Sequence, residues 1–194
     1  MNFETILTSI SKHISLTSKE KKQFTDALVE KKIKKRQFLL HDGEICKNSA
    51  FVTNGCLRSY SIDKNGFEHI LQFAPEGWWI ADMYSLISQL PGHLNIDALE
   101  DTNILLLARK DQEKLFEDIP RLERFFRIIT EKSLVASQQR LLDNMSLTAQ
   151  QRYANFCTNY PTLIKSVAQK QIASYIGVTP EFLSKLRSDF FKKK

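Results

Sequence analysis

The stretch QKQIASYIGVTPEFLSKL, Gln169 to Leu186, decides the fold of this chain. Its apolar residues recur at helical spacing in two short runs on either side of Gly177. Glycine adopts the left-handed conformation of a tight turn without a steric penalty, so the first helix should end there. Thr179 followed by Pro180 predicts an N-cap and the first turn of a second helix. The pattern predicts a helix-turn-helix, whose second helix enters the DNA major groove.

The first helix of this motif has its own start signal and a small residue for close packing. Ser166 and Gln169 have the spacing of a capping box, and Ala173 falls where the two helices should cross. The predicted buried positions are Ile172, Ile176, Val178, Leu183 and Leu186. The alternative interpretation is an ordinary helical hairpin that packs as core.

The positive charge of the chain is concentrated near this motif. The 194 residues include 28 Lys and Arg and 22 Asp and Glu, a net charge of +6. Eight of the basic and two of the acidic residues lie from Met145 onward, so this segment carries the whole excess. Such clustering indicates binding to a phosphate backbone. The alternative, a solvated basic tail, would account for Lys192 to Lys194 but not for the rest.

Composition argues against several other classes of protein. Three cysteines and four histidines are scattered without the spacing of a metal or iron–sulfur site, and no catalytic motif is present. We therefore expect no enzymatic activity, no metal and no cofactor. No apolar run is long enough to span a membrane. The N-terminal residues lack the apolar core of a signal peptide, which predicts a cytoplasmic location.

The hydrophobic pattern changes along the first part of the chain, from helical periodicity to short strand-like runs. Phe3–Ile14 and Ser18–Val29 have helical periodicity. Short apolar runs broken by turn residues follow from Lys31 to Arg109, and Asn65-Gly66 marks a hairpin. Ile96–Leu99 and Ile104–Leu107 are expected to form a further strand pair. Several short strands at regular spacing predict a compact β-barrel or sandwich.

A long helix is expected between Ile119 and Met145, where apolar residues recur at helical spacing. Such a helix would span ~38 Å, too long to be covered by one small barrel, so we expect it to pair with the same helix of a second copy. The alternative is a core helix within one chain. Thr148 and Gln151 form a capping box for the next helix, which should end before Pro161.

The order of these elements resembles that of the Crp/Fnr (catabolite activator protein) family of bacterial transcription regulators. The residues that carry the resemblance are FVTNGCLRSYSIDKNGFEHILQFAPEG, IDALEDTNILLLARKD and QKQIASYIGVTPEFLSKLR. It implies an α+β fold with three parts: a jelly-roll, cyclic-nucleotide-binding-like sensor domain with N-terminal helices over 1–118, a dimerisation helix over 119–145, and a winged-helix-like helix-turn-helix domain over 146–194. It further implies a homodimer, palindromic double-stranded DNA, RNA polymerase and a small-molecule effector as partners, and no membrane.

The effector site is where the chain departs from the family. Relatives that bind cyclic nucleotides carry a Gly-Glu pair and then a cassette with an arginine for the phosphate. Here the pair reads Ala81-Asp82, and the cassette around His93 has no arginine. We therefore expect that cyclic AMP is not the tight-binding effector. The pocket candidates are Trp79, Ala81, Asp82, His93, Asn95, Ser137 and Gln138. Trp78 and Trp79 are either core residues of the β-roll or the lining of an aromatic pocket for another ligand.

The resemblance also assigns the DNA-reading residues. Glu181 and Lys185 match family positions that contact base edges, and an acceptor and a donor of this kind suit cytosine and guanine. A surface salt bridge between them is the alternative. The wider predicted interface comprises Gln169, Lys170, Thr179, Pro180, Ser184, Arg187 and Ser188. Because Pro161 to Ser166 leaves little room for a β-hairpin wing, a ligand-binding module with a vestigial DNA-binding head remains the alternative function.

Overall fold

The computed structural model describes residues 3–192, without the side chains of Lys165 and of residues 189–192. Lys193 and Lys194 of the predicted basic tail therefore lie outside the described residues. The chain forms two compact units. The first runs up to Ser61 and then from Leu71 to Glu131, and the second comprises Ile62–Ile70 and the chain from Lys132 onward. The three-part division at residues 118 and 145 remains a prediction.

The first unit is built on two short helices and a β-roll. The helices are α1 (Glu4–Ser11) and α2 (Ser18–Asp26), and α2 begins with a capping box between Thr17 and Glu20. The eight strands are β1 (Leu28–Ile33), β2 (Phe38–Leu40), β3 (Asn48–Asn54), β4 (Cys56–Ile62), β5 (Glu68–Pro75), β6 (Trp79–Ile80), β7 (Asn95–Ala98) and β8 (Thr102–Ala108). A one-and-a-half-turn helix, α3 (Met83–Ser88), lies between β6 and β7.

The strands form two four-stranded sheets, in the orders β1-β8-β3-β6 and β2-β7-β4-β5. The strand pairs β1–β8, β3–β8, β3–β6, β2–β7 and β4–β7 are antiparallel, and Phe51 on β3 pairs with Leu105 on β8. The predicted hairpin at Asn65-Gly66 is confirmed, with Gly66 at a φ of 83°. Asp63 holds this turn, because its carboxylate accepts from the backbone N–H groups of Asn65 and Phe67.

Two apolar clusters stabilise this unit. One contains the buried faces of α1 and α2 together with Phe51, Leu105 and Phe125. The other contains strand residues such as Val52, Leu57, Ile96 and Ile104, which lie on the inner faces of the roll. The two four-stranded sheets, whose inner residues form this second cluster, confirm the jelly-roll prediction.

Several features differ from the sequence predictions, beginning with α1, which ends at Ser11 and not at Ile14. Helix α2 ends at Asp26 and not at Val29, because β1 begins at Leu28 and pairs with β8. Strands β7 and β8 exist, but they lie in different sheets and do not pair with each other. The short helix α3 was not predicted. Strand partners and a helix this short depend on contacts between distant parts of the chain, which a local pattern does not encode.

The remaining elements are helical. They are α4 (Arg109–Asp118), α5 (Arg121–Ser146), α6 (Ala149–Asn159), α7 (Leu163–Ser166), α8 (Gln169–Ile176) and α9 (Pro180–Lys192). The long helix has 26 residues and starts at Arg121, two residues later than predicted. Pro120 precedes it, and because proline lacks an N–H group it is accommodated only near a helix start. No strand occurs among residues 109–192 of the described chain, so no β-hairpin wing accompanies the helix-turn-helix in this range, in line with the short segment from Pro161 to Ser166.

The caps of the C-terminal helices follow their sequence signals in three places out of four. Thr148 and Gln151 form the predicted capping box of α6, and Thr179 Oγ1 accepts from the backbone N–H of Phe182 at the start of α9. Gly177 ends α8 at a φ of 70°. The predicted capping box of Ser166 and Gln169 is wrong: Ser166 lies within α7, and Ala168 is the N-cap of α8 without a side-chain bond.

Candidate nucleic-acid interface and effector site

Helices α8 and α9 form the predicted helix-turn-helix around a small apolar contact. Ile172, Ala173 and Leu183 are completely buried, and Ile176 is nearly so. Helix α8 ends at Gly177 in a Schellman motif. Val178 N–H donates to Ala173 O, and Gly177 N–H donates to Ser174 O. Val178 and Leu186 are only half-buried. This packing fixes which side of α9 remains in contact with solvent.

The solvent-facing side of α9 is mainly polar in its first three turns, with Phe182 as an exposed apolar residue beside it. Of the predicted contacts, the exposed ones are Thr179, Pro180, Glu181, Ser184, Lys185 and Ser188, and Lys170 on α8 is also exposed. No ion pair joins Glu181 to Lys185 among the described side chains. An exposed carboxylate and an exposed ammonium group on one face are thus both available to a ligand.

Two residues of the wider predicted interface are less accessible. Gln169 and Arg187 are half-buried. Arg187 lies near Tyr153 of α6: burial raises the pKa of this phenol, and the positive charge of Arg187 acts in the opposite direction. Arg187 is therefore on a partly covered side of α9, near α6.

Arg152 of α6 is a structural residue that sequence reasoning missed. Its guanidinium donates to Ile176 O at 2.8 Å and to Gly177 O at 3.4 Å, at the end of α8. It also donates to Leu147 O at 2.9 Å and to Asn144 O at 3.4 Å, at the end of α5. One side chain thus caps the carbonyl ends of two helices, where a positive charge is favoured by the helix dipole.

The tip of the β4–β5 hairpin belongs to the second unit and contacts α8. Ser174 Oγ donates to Glu68 O at 2.6 Å and accepts from Ile70 N–H at 3.0 Å. Arg140 of α5 donates to Ile70 O at 3.2 Å, and its guanidinium lies 4.7 Å from the ring centre of Tyr175. The backbone of an edge strand is thereby bonded to the first helix of the motif.

The candidate effector residues Asp82 and His93 occur together, but the carboxylate is already engaged. Asp82 is buried and its two oxygens accept from the backbone N–H groups of Ser85 and His93, at 3.1 and 3.2 Å. A Cβ on Gly92 would collide with Asp82 Oδ2, so a glycine is needed at this close approach. Ser85 Oγ in turn donates to Leu90 O and accepts from Cys46 N–H. Asp82 therefore caps α3 and closes the 83–93 loop.

The other effector candidates are dispersed. The His93 side chain is 84% exposed, and its Nδ1 is 4.0 Å from Asp42 Oδ1. Asn95 is buried and accepts from Asp42 N–H. Ala81 packs against the strand cluster, whereas Ser137 and Gln138 are exposed on the part of α5 that belongs to the second unit.

Trp79 contributes to the core of the first unit. Its ring lies 5.2 Å from that of Phe51 and 5.3 Å from that of Phe126. Its indole N–H is buried without an acceptor among the described residues. Trp78 is 41% exposed. These contacts give Trp79 a packing role in the β-roll.

A separate cleft of about 440 Å³ lies in the first unit, and none of the predicted effector residues lines it. Its walls are mainly apolar, with Leu40, Ile80 and Ile96 among them, and Glu44 and Lys47 are at its charged side. Within residues 3–192 no group of three or more His, Cys, Asp or Glu side chains is arranged to hold a metal ion. No helix in the same range is both long and apolar enough to cross a membrane.

The residues that sequence reasoning missed share one property, which is that their partners are distant along the chain. Arg152, Ser174 and Ser85 each bond to backbone groups in another element. Gly92 next to Pro91 gave a turn signal, but not the close approach to Asp82. Phe182, which lies between two predicted DNA contacts in the sequence, is exposed on α9.

Comparison with known proteins gives a family match for the β-roll and relatives that cover most of the chain. Residues 30–118 match the family model of the cyclic nucleotide-binding domain. The chain is 24% identical over 178 residues to the transcriptional activator protein anr of Pseudomonas aeruginosa, an alignment that covers 81% of this chain and 68% of that protein. The solved structure of FixK2 from Bradyrhizobium japonicum is 22% identical, with a TM-score of 0.75 over 86% of this chain and 85% of its own. The global regulator CLP of Xanthomonas campestris, described as responsive to c-di-GMP, is 12% identical, with a TM-score of 0.74 over 91% and 93%.

Proposed function

We propose that this chain, which belongs to the Crp/Fnr family of transcription regulators, acts as a homodimer that reads a palindromic DNA site and does not use cyclic AMP as its effector. The family relationship rests on the cyclic nucleotide-binding domain match, the activator relatives and the shared fold. Sequence-specific DNA binding by this chain, its dimeric state and its effector are the proposed parts. Cytoplasmic localisation remains a prediction.

The exposed polar face of α9 carries the proposal. Glu181, Ser184, Lys185 and Ser188 are exposed on a helix whose start is fixed by Thr179 and Pro180. A carboxylate suits the amino group of cytosine, and a lysine ammonium suits the acceptors of guanine. Lys170 on α8 and the other basic residues of this segment would neutralise phosphates and set the register of the protein on the duplex.

An unpaired apolar stripe on α5 supports the dimer. Leu134 and Leu141 are seven residues apart, as are Val135 and Leu142, and all four are 56–63% exposed. Met145 extends the stripe and is 78% exposed. A seven-residue apolar repeat is the pattern of two helices packed along a common seam. We therefore assign this face to the same helix of a second copy.

The geometry around Asp82 supports a β-roll without cyclic AMP. The carboxylate at the position of the family glutamate is occupied by two backbone N–H groups. No arginine occurs between Pro91 and Asn95, and a buried cyclic phosphate without a cation would be costly. Titration calorimetry with cyclic AMP and cyclic GMP should give no binding in the micromolar range. Micromolar binding of either nucleotide would contradict this part of the proposal.

DNA recognition is tested by selecting bound duplexes from a random pool with the purified chain and with Lys185→Ala in parallel. The proposal predicts enrichment of a two-fold symmetric site by the natural chain, with half-sites separated by one helical turn of ~34 Å. The variant should fail to enrich the base pairs at one symmetric position of each half-site. Identical enriched sites for both proteins would exclude base reading by Lys185.

An absence of enrichment would support the other interpretation, a ligand-binding β-roll whose helical head no longer reads DNA. The same selection with the purified protein at low salt separates weak binding from no binding, because phosphate contacts strengthen as the salt concentration falls. A pool that remains random even at low salt would overturn the proposed function.

A further inference from the structure

Phe182 is an exposed aromatic residue at the start of α9. Its side chain is 51% exposed, whereas the adjacent Leu183 is completely buried. It is the third residue of the helix, and its backbone N–H donates to Thr179 Oγ1 at 3.2 Å. The cap therefore holds Phe182 in the first turn, at a fixed place beside the solvent-facing side of the helix.

The position of this phenyl ring, more than its exposure, indicates a role. Single exposed apolar side chains are common on protein surfaces and need no explanation. Phe182 and Lys185 are three residues apart and so are neighbours on the helix surface. In a helix-turn-helix the N-terminal residues of the second helix are the ones that reach base edges. Phe182 thus lies where side chains meet the floor of the major groove.

We propose that Phe182 reads a thymine by contact with its 5-methyl group, next to the base pair read by Lys185. This inference rests on the proposed function, that α9 enters the major groove. A phenyl ring offers no hydrogen-bond donor to a phosphate, and the thymine methyl is the apolar group that the major groove presents. Phe182 is then a specificity-determining residue: it recognises a thymine, whereas the polar side chains of α9 recognise the other bases.

The test is a thermodynamic cycle at each thymine of the selected site. Its four affinities are those of two proteins, the natural chain and Phe182→Ala, for two duplexes, with thymine and with deoxyuridine at that position. Each thymine of a half-site is replaced in turn by deoxyuridine, which lacks the 5-methyl group and keeps the base-pairing edge. Binding is measured by fluorescence anisotropy for the natural chain and for Phe182→Ala. At one symmetric thymine the natural chain should lose about fourfold in affinity, the factor that corresponds to ~0.8 kcal/mol for one buried methyl group. Phe182→Ala should bind the thymine and deoxyuridine duplexes equally at that position.

Two control variants make the outcome specific. Phe182→Leu keeps an apolar side chain and should retain part of the discrimination, whereas Phe67→Ala, at an exposed phenylalanine outside the helix-turn-helix, should keep all of it. Equal deoxyuridine effects in the natural chain and in Phe182→Ala, or no effect of any deoxyuridine, would overturn the inference while sequence-specific binding persists. Loss of all sequence preference in the natural chain would instead overturn the proposed function, and the inference with it.

Discussion

At the scale of single residues, Lys185 is the most informative position for the proposed DNA contact. Its ammonium group is exposed, and no ion pair joins it to Glu181 among the described side chains. Lys185→Ala should therefore weaken binding to the selected site by ~1–3 kcal/mol and leave binding to random DNA nearly unchanged. Competition binding with the two DNAs measures this difference.

Lys170→Ala is the matched control for that variant, because Lys170 is also an exposed lysine of the motif. If Lys170 contacts a phosphate, its loss should weaken binding to both DNAs by the same factor and reduce the salt dependence. An equal loss on both DNAs for Lys185→Ala would identify Lys185 as a backbone contact as well.

Cys56 gives a prediction on the pH dependence of stability. Burial raises the pKa of its thiol from 9.0 to about 12. Between these values the unfolded chain loses this proton and the folded chain keeps it, so stability is complete below pH 9 and falls as the pH rises toward 12. We expect this thiol to lower the free energy of unfolding by about 1.4 kcal/mol per pH unit in that window. Urea denaturation at several pH values measures the slope.

The comparison of variants isolates the thiol from the other groups that titrate in alkali. Cys56→Ala should have a shallower decline than the natural chain. Equal slopes in the natural chain and Cys56→Ala would refute the assignment.

At the scale of elements, the C-terminal helices depend on Arg152. Its guanidinium donates to carbonyls at the ends of both α5 and α8. Arg152→Lys keeps the charge, but a single ammonium group has no fork of donors to serve both helix ends. We expect the second unit to lose about 2 kcal/mol of stability, since hydrogen bonds from charged donors are stronger than those between neutral groups.

Hydrogen exchange in peptides from α6 and α8 measures this loss, because both tryptophans lie outside the C-terminal unit and their fluorescence would not report on it. Exchange there should accelerate in Arg152→Lys. Arg124→Lys, at an exposed arginine of α5, should leave exchange unchanged. Unchanged exchange in Arg152→Lys would mean that these bonds add little to the unit.

The elements also show how far sequence reasoning reaches. The caps at Thr148 and Thr179 and the turn at Gly177 were predictable, because each signal and its structural effect lie within a few residues. The partners of β7 and β8 were not, because pairing joins residues far apart in sequence. For the same reason the carboxylate of Asp82 was expected in an effector site but caps a helix that the sequence did not predict.

At the scale of the whole molecule, the proposed dimer depends on the apolar stripe of α5. Leu141→Lys would place a charge in the seam between two helices, so we expect it to convert the dimer into a monomer. Val29→Lys on β1 is a control with the same exposure, as both side chains are 62% exposed. Sedimentation equilibrium gives the mass of each variant.

The natural chain and Val29→Lys should both have twice the chain mass of 22.5 kDa. A natural chain that is already monomeric, or a Leu141→Lys variant that remains dimeric, would show that this stripe is not the dimer contact. The folded state of each variant is checked by its helical circular dichroism.

The most direct test of the central claim is the affinity of the natural chain for its selected site and for the same site with five base pairs inserted between the half-sites. Two copies of α9 in one dimer must meet the same side of the duplex one helical turn apart, and five base pairs rotate one half-site by about half a turn. The proposed function predicts that the insertion reduces binding to the level of a single half-site. Equal affinity for both duplexes would contradict a dimer that reads a palindromic site.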